Sequence, residues 1–292
     1  MEAFKLKQSA EGPSLFLLEP WRKLNQGLTV GFTSRIGGIS EGPWQSFNMG
    51  LHVGDEDAHV IANRKRLTEA LDWPFDAWTC AEQVHGSNVF TVTSEHRGSG
   101  SASLTDVITD CDAIITNEPN ILLTSFYADC VPLYFYDTVN GAIGLAHAGW
   151  KGTVGEIASK TIQAMSKAYG TRPEELRAAV GPSIGLCCYE VDAVVIERIQ
   201  ALMQALNIKD NGTHTIIKPA HSGKAHIDLK ELNRQIMIKA GILPSHIEYS
   251  EWCTGCNRNL FFSHRIEGAP SGRMASWIGK YKEVEDEYSH KR

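Results

Sequence analysis

Short apolar runs at residues 15–18 and 28–33 predict two strands, and the turn-forming Arg35-Ile36-Gly37-Gly38 and a Gly/Pro/Ser-rich stretch through Asn48 and Gly50 follow them as a long loop. From Asp55, read as an N-cap, Val60, Ile61, Leu67 and Leu71 recur at helical spacing. They predict an amphipathic helix that stops before Pro74 and carries Arg64, Lys65 and Arg66 on its other face. Between 78 and 93, and again between 121 and 146, β-branched and aromatic residues predict short strands, with hairpin chemistry at 137–141. Helices are predicted over about 152–169, 192–206 and 228–240, with a strand near 178–180. The alternation is that of an α/β protein, and the charged tail from Glu283 is predicted to fray.

Composition narrows the picture in three ways. The 292 residues, 42% apolar and 21% charged, have ample material for a core, and no linker divides them, so one domain over 1–292 is expected. A net charge of −6 gives no cationic footprint for nucleic acid and favours a small-molecule partner. The start, Met1-Glu2-Ala3-Phe4-Lys5, lacks a signal-peptide layout and no long uncharged apolar run follows, so a cytoplasmic protein without a membrane partner is expected.

Seven scattered cysteines fit thiols or metal ligands better than a disulfide framework. Cys80 and Cys111 sit among apolar neighbours and read as small buried hydrophobes. Cys253 and Cys256 form a Cys-x-x-Cys pair, but the vicinal Cys187-Cys188 is badly spaced to complete it, so all four are expected to be free thiols.

The chemistry concentrates in Gln83-Val84-His85-Gly86, Ala128-Asp129-Cys130-Val131 and Leu145-Ala146-His147-Ala148-Gly149-Trp150. Each sets an imidazole or a thiol, the side chains zinc prefers, at a glycine-rich or strand-to-turn position. His85, Cys130 and His147 as three ligands leave a tetrahedral ion one open corner, the mark of a catalytic site. Asp129 beside the thiol either orients a histidine, shuttles a proton or caps a turn. Arg35 next to two glycines is either an anion site or a surface arginine beside a turn, and Arg64 and Asn48 are further substrate or phosphate candidates.

These strings, with Thr33-Ser34-Arg35-Ile36-Gly37-Gly38, Asn48-Met49-Gly50-Leu51-His52-Val53-Gly54-Asp55 and Gly272-Arg273-Met274-Ala275-Ser276, resemble the YfiH/YlmD family from about residue 14 to 280. That family is often labelled polyphenol oxidase or laccase domain. The resemblance implies a single α/β domain of layered mixed β-sheets flanked by helices, with zinc held by His85, Cys130 and His147. It also implies phosphorolysis of purine nucleosides with inorganic phosphate, with some adenosine deamination. Catalytic roles then fall on Asp129, Arg35 and Cys130, and the nucleoside sits between the metal and the arginine loop.

Three other readings compete. Deaminases with His-x-Glu and Pro-Cys-x-x-Cys are not matched, since no proline precedes Cys253 and no glutamate stands two residues after His85. A laccase reading is weakened because none of the eleven histidines forms a His-x-His pair, although copper can occupy the same His/Cys site. A metal-stabilised nucleoside-binding protein without turnover is the non-enzyme alternative.

Overall fold

Both faces of the central strands are apolar, and the chain resolves this by stacking two sheets and covering their outer faces. In a computed structural model, residues 2–9, 12–210 and 215–281 are described; the tail from Glu283 lies outside them. The strands are β1 (Phe4–Lys7), β2 (Leu15–Leu18), β3 (Leu28–Thr33), β4 (Trp78–Cys80) and β5 (Val89–Thr91) in the first third of the chain. The middle adds β6 (Ala113–Thr116), β7 (Leu122–Tyr127), β8 (Val131–Asp137), β9 (Ile143–Ala148) and β10 (Leu176–Val180). Last come β11 (Glu190–Val191), β12 (Ile217–Pro219), β13 (Ala225–Ile227), β14 (Ile247–Tyr249) and β15 (Met274–Lys280). One six-stranded sheet runs β1-β2-β3-β15-β7-β4, the other β14-β10-β8-β9-β6-β5, and β11-β13-β12 form a small third sheet.

Side-chain alternation along each strand sorts the core into layers. On β8, Tyr134 and Tyr136 face the first sheet, where they join Phe16, Phe32 and Ile278, while Leu133 and Phe135 face the helices. Tyr134 crosses the layer and donates its hydroxyl to the Gly31 carbonyl at 2.9 Å. The helices are α1 (Glu19–Arg22), α2 (Asp57–Ala70), α3 (Trp150–Val154), α4 (Ile157–Tyr169), α5 (Ala193–Ala205), α6 (Leu229–Lys239) and α7 (His264–Glu267). Ile157 and Ile162 of α4 and Ile236 of α6 cover the second sheet, while Leu67 of α2 packs with Trp78 and Trp277 on the first. The result is a mixed α/β architecture of layered sheets flanked by helices, as the sequence predicts. Among the described residues no helix is long and apolar enough to cross a membrane.

Local chemistry places most elements where the sequence predicts them. Asp192 and Asp228 accept from Val195 N–H and Glu231 N–H and start α5 and α6. The hairpin after β8 closes because Asp137 accepts from the backbone N–H groups of Val139 and Asn140, each at 2.9 Å. Three expectations fail. Asp55 does not cap α2, since its carboxylate accepts from Glu56 N–H and the Asn48 amide instead, and Arg64 lies on the buried face of that helix. The helix predicted over 152–169 is two helices, broken at Gly155 and Glu156, where Glu156 adopts φ 59°.

Candidate metal centre and its cavity

The hairpin of β8 and β9 sets two ligands side by side. Val131 pairs with Ala148 and Pro132 with His147, so Cys130, one residue before β8, comes to the same end of the sheet as His147. His85 arrives on the loop between β4 and β5, which Gln83 ties down by exchanging two hydrogen bonds with the Phe126 backbone, both 2.8 Å. The ligand atoms of His85, Cys130 and His147 all lie within 4.8 Å of one another. Gly149 keeps this approach open, because a Cβ would crowd both the Cys130 sulfur and the His85 ring at 3.1 Å.

A buried carboxylate that the sequence reading did not select organises this centre. Asp112 accepts from the backbone N–H of Val84, His85 and Gly86 at 3.2, 3.0 and 2.6 Å, wrapping the His85 loop around itself. The same carboxylate meets His147 Nδ1 at 2.8 Å, which leaves Nε2 as the nitrogen free to bind an ion. Burial works to raise the Asp112 carboxyl, but His147 and the backbone N–H groups outweigh it and hold it below its usual value. Burial likewise opposes charge on Cys130, yet the His147 and His85 imidazoles bring its thiol down to about 6. His147 is raised to about 9 against the effect of burial, by the Cys130 charge and the Asp112 hydrogen bond. Two imidazoles, a stabilised thiolate and an orienting carboxylate form a donor set that suits zinc and also admits copper.

The centre opens into a cavity of about 550 Å³ whose wall includes His52, Phe126, Tyr189, Arg265 and Arg273. Arg273 spends Nη1 on the Ser271 and Gly272 carbonyls at 2.8 and 2.9 Å. Its Nε and Nη2 donors have no partner among the described residues. Burial lowers the Arg273 guanidinium, while Cys130 and Asp129 pull it back up, so the cation lies within electrostatic reach of the thiolate. His52 is lowered to about 4, by surrounding protein first and then by Arg273 and Arg64, and is a neutral imidazole at pH 7. Arg265 stacks 5.0 Å over Tyr189 and donates to the Glu190 carbonyl at 2.6 Å.

Of the other sequence-predicted residues, Arg35, Arg64 and Asn48 lie off the cavity wall and Asp129 lines it. The Arg35 guanidinium contacts Glu267 Oε1 at 2.5 Å through Nη1 and donates from Nε and Nη1 to the carbonyls of Gln45, Arg258 and Phe261. Arg64 is fully buried, and Met49, Gly100 and Ser101 carbonyls occupy its donors. Asn48 is buried with its amide on Asp55 and Gly50, and its carbonyl oxygen accepts the Arg273 backbone N–H at 2.8 Å. It thereby holds the Arg273 backbone in place beside the cavity. Asp129 lines the cavity but does not orient a histidine, a task Asp112 holds. Its oxygens accept from Thr254 Oγ1 (2.6 Å), Ser263 Oγ (2.7 Å) and Arg265 N–H (2.7 Å), and its φ of 98° marks a strained position held by those bonds.

The four cysteines read as unrelated thiols also come together: the sulfurs of Cys187, Cys188, Cys253 and Cys256 lie within 4.8 Å of one another.

A profile of the family described as multi-copper polyphenol oxidoreductase laccase matches residues 29–280. The chain is 40% identical over 257 residues to purine nucleoside phosphorylase YlmD of Geobacillus stearothermophilus, covering 88% of this chain and 92% of that one. It is 38% identical over 270 residues to the Bacillus subtilis protein of the same name, covering 91% and 95% of the two. The crystal structure of YlmD from Geobacillus stearothermophilus superposes with a TM-score of 0.87 at 38% identity, over 97% of this chain and 100% of that one. That of Bacillus licheniformis hypothetical protein YfiH gives 0.86 at 39% identity, over 95% and 99%. Fold, motifs and extent of match agree, and the chain belongs to the YfiH/YlmD family.

Proposed function

We propose that the protein is a zinc-dependent purine nucleoside phosphorylase, converting nucleoside and inorganic phosphate to free base and ribose 1-phosphate. The observation that carries the reading is one cavity wall that holds both a His85/Cys130/His147 donor set and the uncommitted donors of Arg273. The names of the Geobacillus and Bacillus relatives point the same way. A divalent ion held by the three ligands would supply Lewis acidity where the leaving base gathers charge.

The side chains account for the remaining requirements. Arg273, with Arg265 beside it, binds phosphate, and their charges keep that dianion at the substrate's sugar. Phe126 and Tyr189 offer flat apolar surface to a purine, and neutral His52 can accept a hydrogen bond from a ribose hydroxyl. A phosphate oxygen bonds to the anomeric carbon as the glycosidic bond breaks, and the bond's electron pair leaves with the base, which gains a proton. The same lining admits adenosine for deamination, which ammonia release measures separately.

The test is release of hypoxanthine from inosine with and without phosphate. Turnover should require phosphate, and Arg273→Ala should raise the phosphate KM by about 30-fold, in line with loss of a charge-assisted contact of about 2 kcal/mol. Arg35→Ala, at a residue off the cavity wall that pairs with Glu267, should leave that KM within about twofold. Phosphate-independent hypoxanthine release would overturn phosphorolysis. Copper-dependent phenol oxidation without nucleoside turnover would replace it by the oxidase reading.

A further inference from the structure

Cys187 and Cys188 stand on the segment after Gly185, and Cys253 and Cys256 on the segment after β14. The two segments meet through a parallel bridge of Ser183 with Cys253, in which Thr254 N–H donates to the Ser183 carbonyl at 3.1 Å. Sulfur–sulfur distances are 3.5 Å for Cys187–Cys253, 3.3 Å for Cys187–Cys256 and 3.5 Å for Cys188–Cys256. These separations are far beyond a disulfide bond of about 2.05 Å. They sit just inside the edge of about 3.8 Å for a tetrahedron with metal–sulfur bonds of about 2.3 Å. A polynuclear iron–sulfur core would need the sulfurs spread more widely.

The surroundings suit a thiolate cage. The Gly185 backbone N–H donates to the Cys253 sulfur at 3.2 Å, as an amide does to a metal-bound thiolate. Gly255 has to lack a side chain, since a Cβ would meet the Cys188 sulfur at 3.0 Å and its Cβ at 2.9 Å. Four thiolates and one divalent ion leave a net charge of −2, and the buried Lys230 is a nearby cation. That ammonium donates to the Ser250 and Trp252 carbonyls at 2.8 and 3.2 Å; burial lowers it, and the charge of Asp228, then those of Cys253 and, more weakly, Cys187, oppose that.

We propose that Cys187, Cys188, Cys253 and Cys256 form a second metal site, a closed tetrathiolate that takes one zinc ion and staples the segment leading to Tyr189 onto the segment that carries Thr254. All-sulfur ligation with no open position is the pattern of structural zinc, and soft thiolates select zinc over the harder divalent ions. The staple reaches the cavity by two covalent neighbours. Tyr189 follows Cys188 on the cavity wall, and Thr254 follows Cys253 and donates to Asp129, itself adjacent to Cys130.

Elemental analysis of the full-length protein and two variants decides the matter. Wild type should carry about two zinc ions per chain, and Cys130→Ser and Cys256→Ser about one each. X-ray absorption on the Cys130→Ser protein, whose four cysteines are intact, should show zinc surrounded by four sulfurs at about 2.3 Å. A folded Cys130→Ser protein without zinc would overturn the proposal, whether its cysteines titrate as free thiols or its mass reveals disulfides. Iron in place of zinc there, seen as visible thiolate-to-iron absorption, would overturn the assignment to zinc. If Cys130→Ser keeps one zinc and Cys256→Ser has none, the tetrathiolate stands and the zinc at His85, Cys130 and His147 falls.

Discussion

His85, Cys130 and His147 stand at one end of a β-hairpin and on a loop pinned to a buried carboxylate, whereas the four cysteines sit on two segments joined by a single isolated bridge. The first cluster mixes nitrogen and sulfur, opens into a 550 Å³ cavity, and has Asp112 behind it to fix a ring. The second is all sulfur, has backbone N–H and a buried lysine around it, and offers no fourth-position vacancy. A centre that must bind substrate borrows its rigidity from the sheet. A cluster that lies on loops outside the two large sheets would gain rigidity from an ion held by four thiolates.

Asp112→Asn tests the first half of this contrast and should have the largest effect. The change removes the charge that holds His147 and weakens acceptance from three backbone N–H groups. Zinc affinity at the His/Cys centre should fall about 10- to 100-fold, with nucleoside turnover falling in step, while the tetrathiolate ion stays. Competition with a chromophoric chelator reads both sites. Equal retention at both, with full activity, would deny Asp112 its role.

A smaller but sharper contrast lies in thiol reactivity after the metal is stripped. Cys130 is half-buried at the cavity floor, yet its imidazole neighbours outweigh burial and lower it to about 6. Cys187 is exposed, yet burial of its sulfur face and the Cys256 and Cys253 thiols raise it to about 12, and Cys188 is raised as well. The thiolate is the nucleophile, and a lowered value means that it persists above about 6 and is lost as the pH falls through it. At pH 7.5, iodoacetamide should therefore label Cys130 at least about tenfold faster than Cys187 or Cys188, followed by peptide mass spectrometry. Exposure alone dictates the reverse order, and finding that order would remove the thiolate–imidazolium pair.

The same contrast explains what the sequence discloses. The β8–β9 hairpin and the capped starts of α5 and α6 are legible because the apolar runs, Asp137, Asp192 and Asp228 act within a few residues of themselves. His85, Cys130 and His147 are legible as zinc-preferring side chains at turn positions. Asp112 is one of 34 acidic residues, and nothing local distinguishes it; its partners come from residues 84–86 and 147. Arg35 and Arg64 carry the opposite lesson, since a guanidinium invites an anion, and only the fold reveals that backbone carbonyls consume Arg64 and that Arg35 lies off the cavity wall. Arg273 stands in a recognisable motif, but its free donors depend on Asn48 holding its backbone from far along the chain. The cysteine pairs fail by spacing rules because two loops supply one vicinal pair and one Cys-x-x-Cys pair, an arrangement made by the Ser183–Cys253 bridge.

Thr254 is where the two clusters touch, and Thr254→Val should have the smallest effect of these changes. Its hydroxyl donates to Asp129 at 2.6 Å, and the same carboxylate accepts from Ser263 and from the Arg265 backbone. Valine removes one of three donors to a buried charge without altering side-chain volume much, so a loss of about 1–3 kcal/mol in stability follows, seen as a drop of a few °C in Tm. Asp129 keeps two donors, so Arg265 shifts little and the phosphate KM should rise only about threefold. The informative measurement is the double variant with Cys256→Ser. If the cysteine cluster holds Thr254 against Asp129, removing the cluster already loosens that hydrogen bond, and the second change then costs less than it does alone. Strict additivity in both Tm and KM would mean that the two clusters are merely neighbours, and that the staple secures its own loops without reaching the cavity.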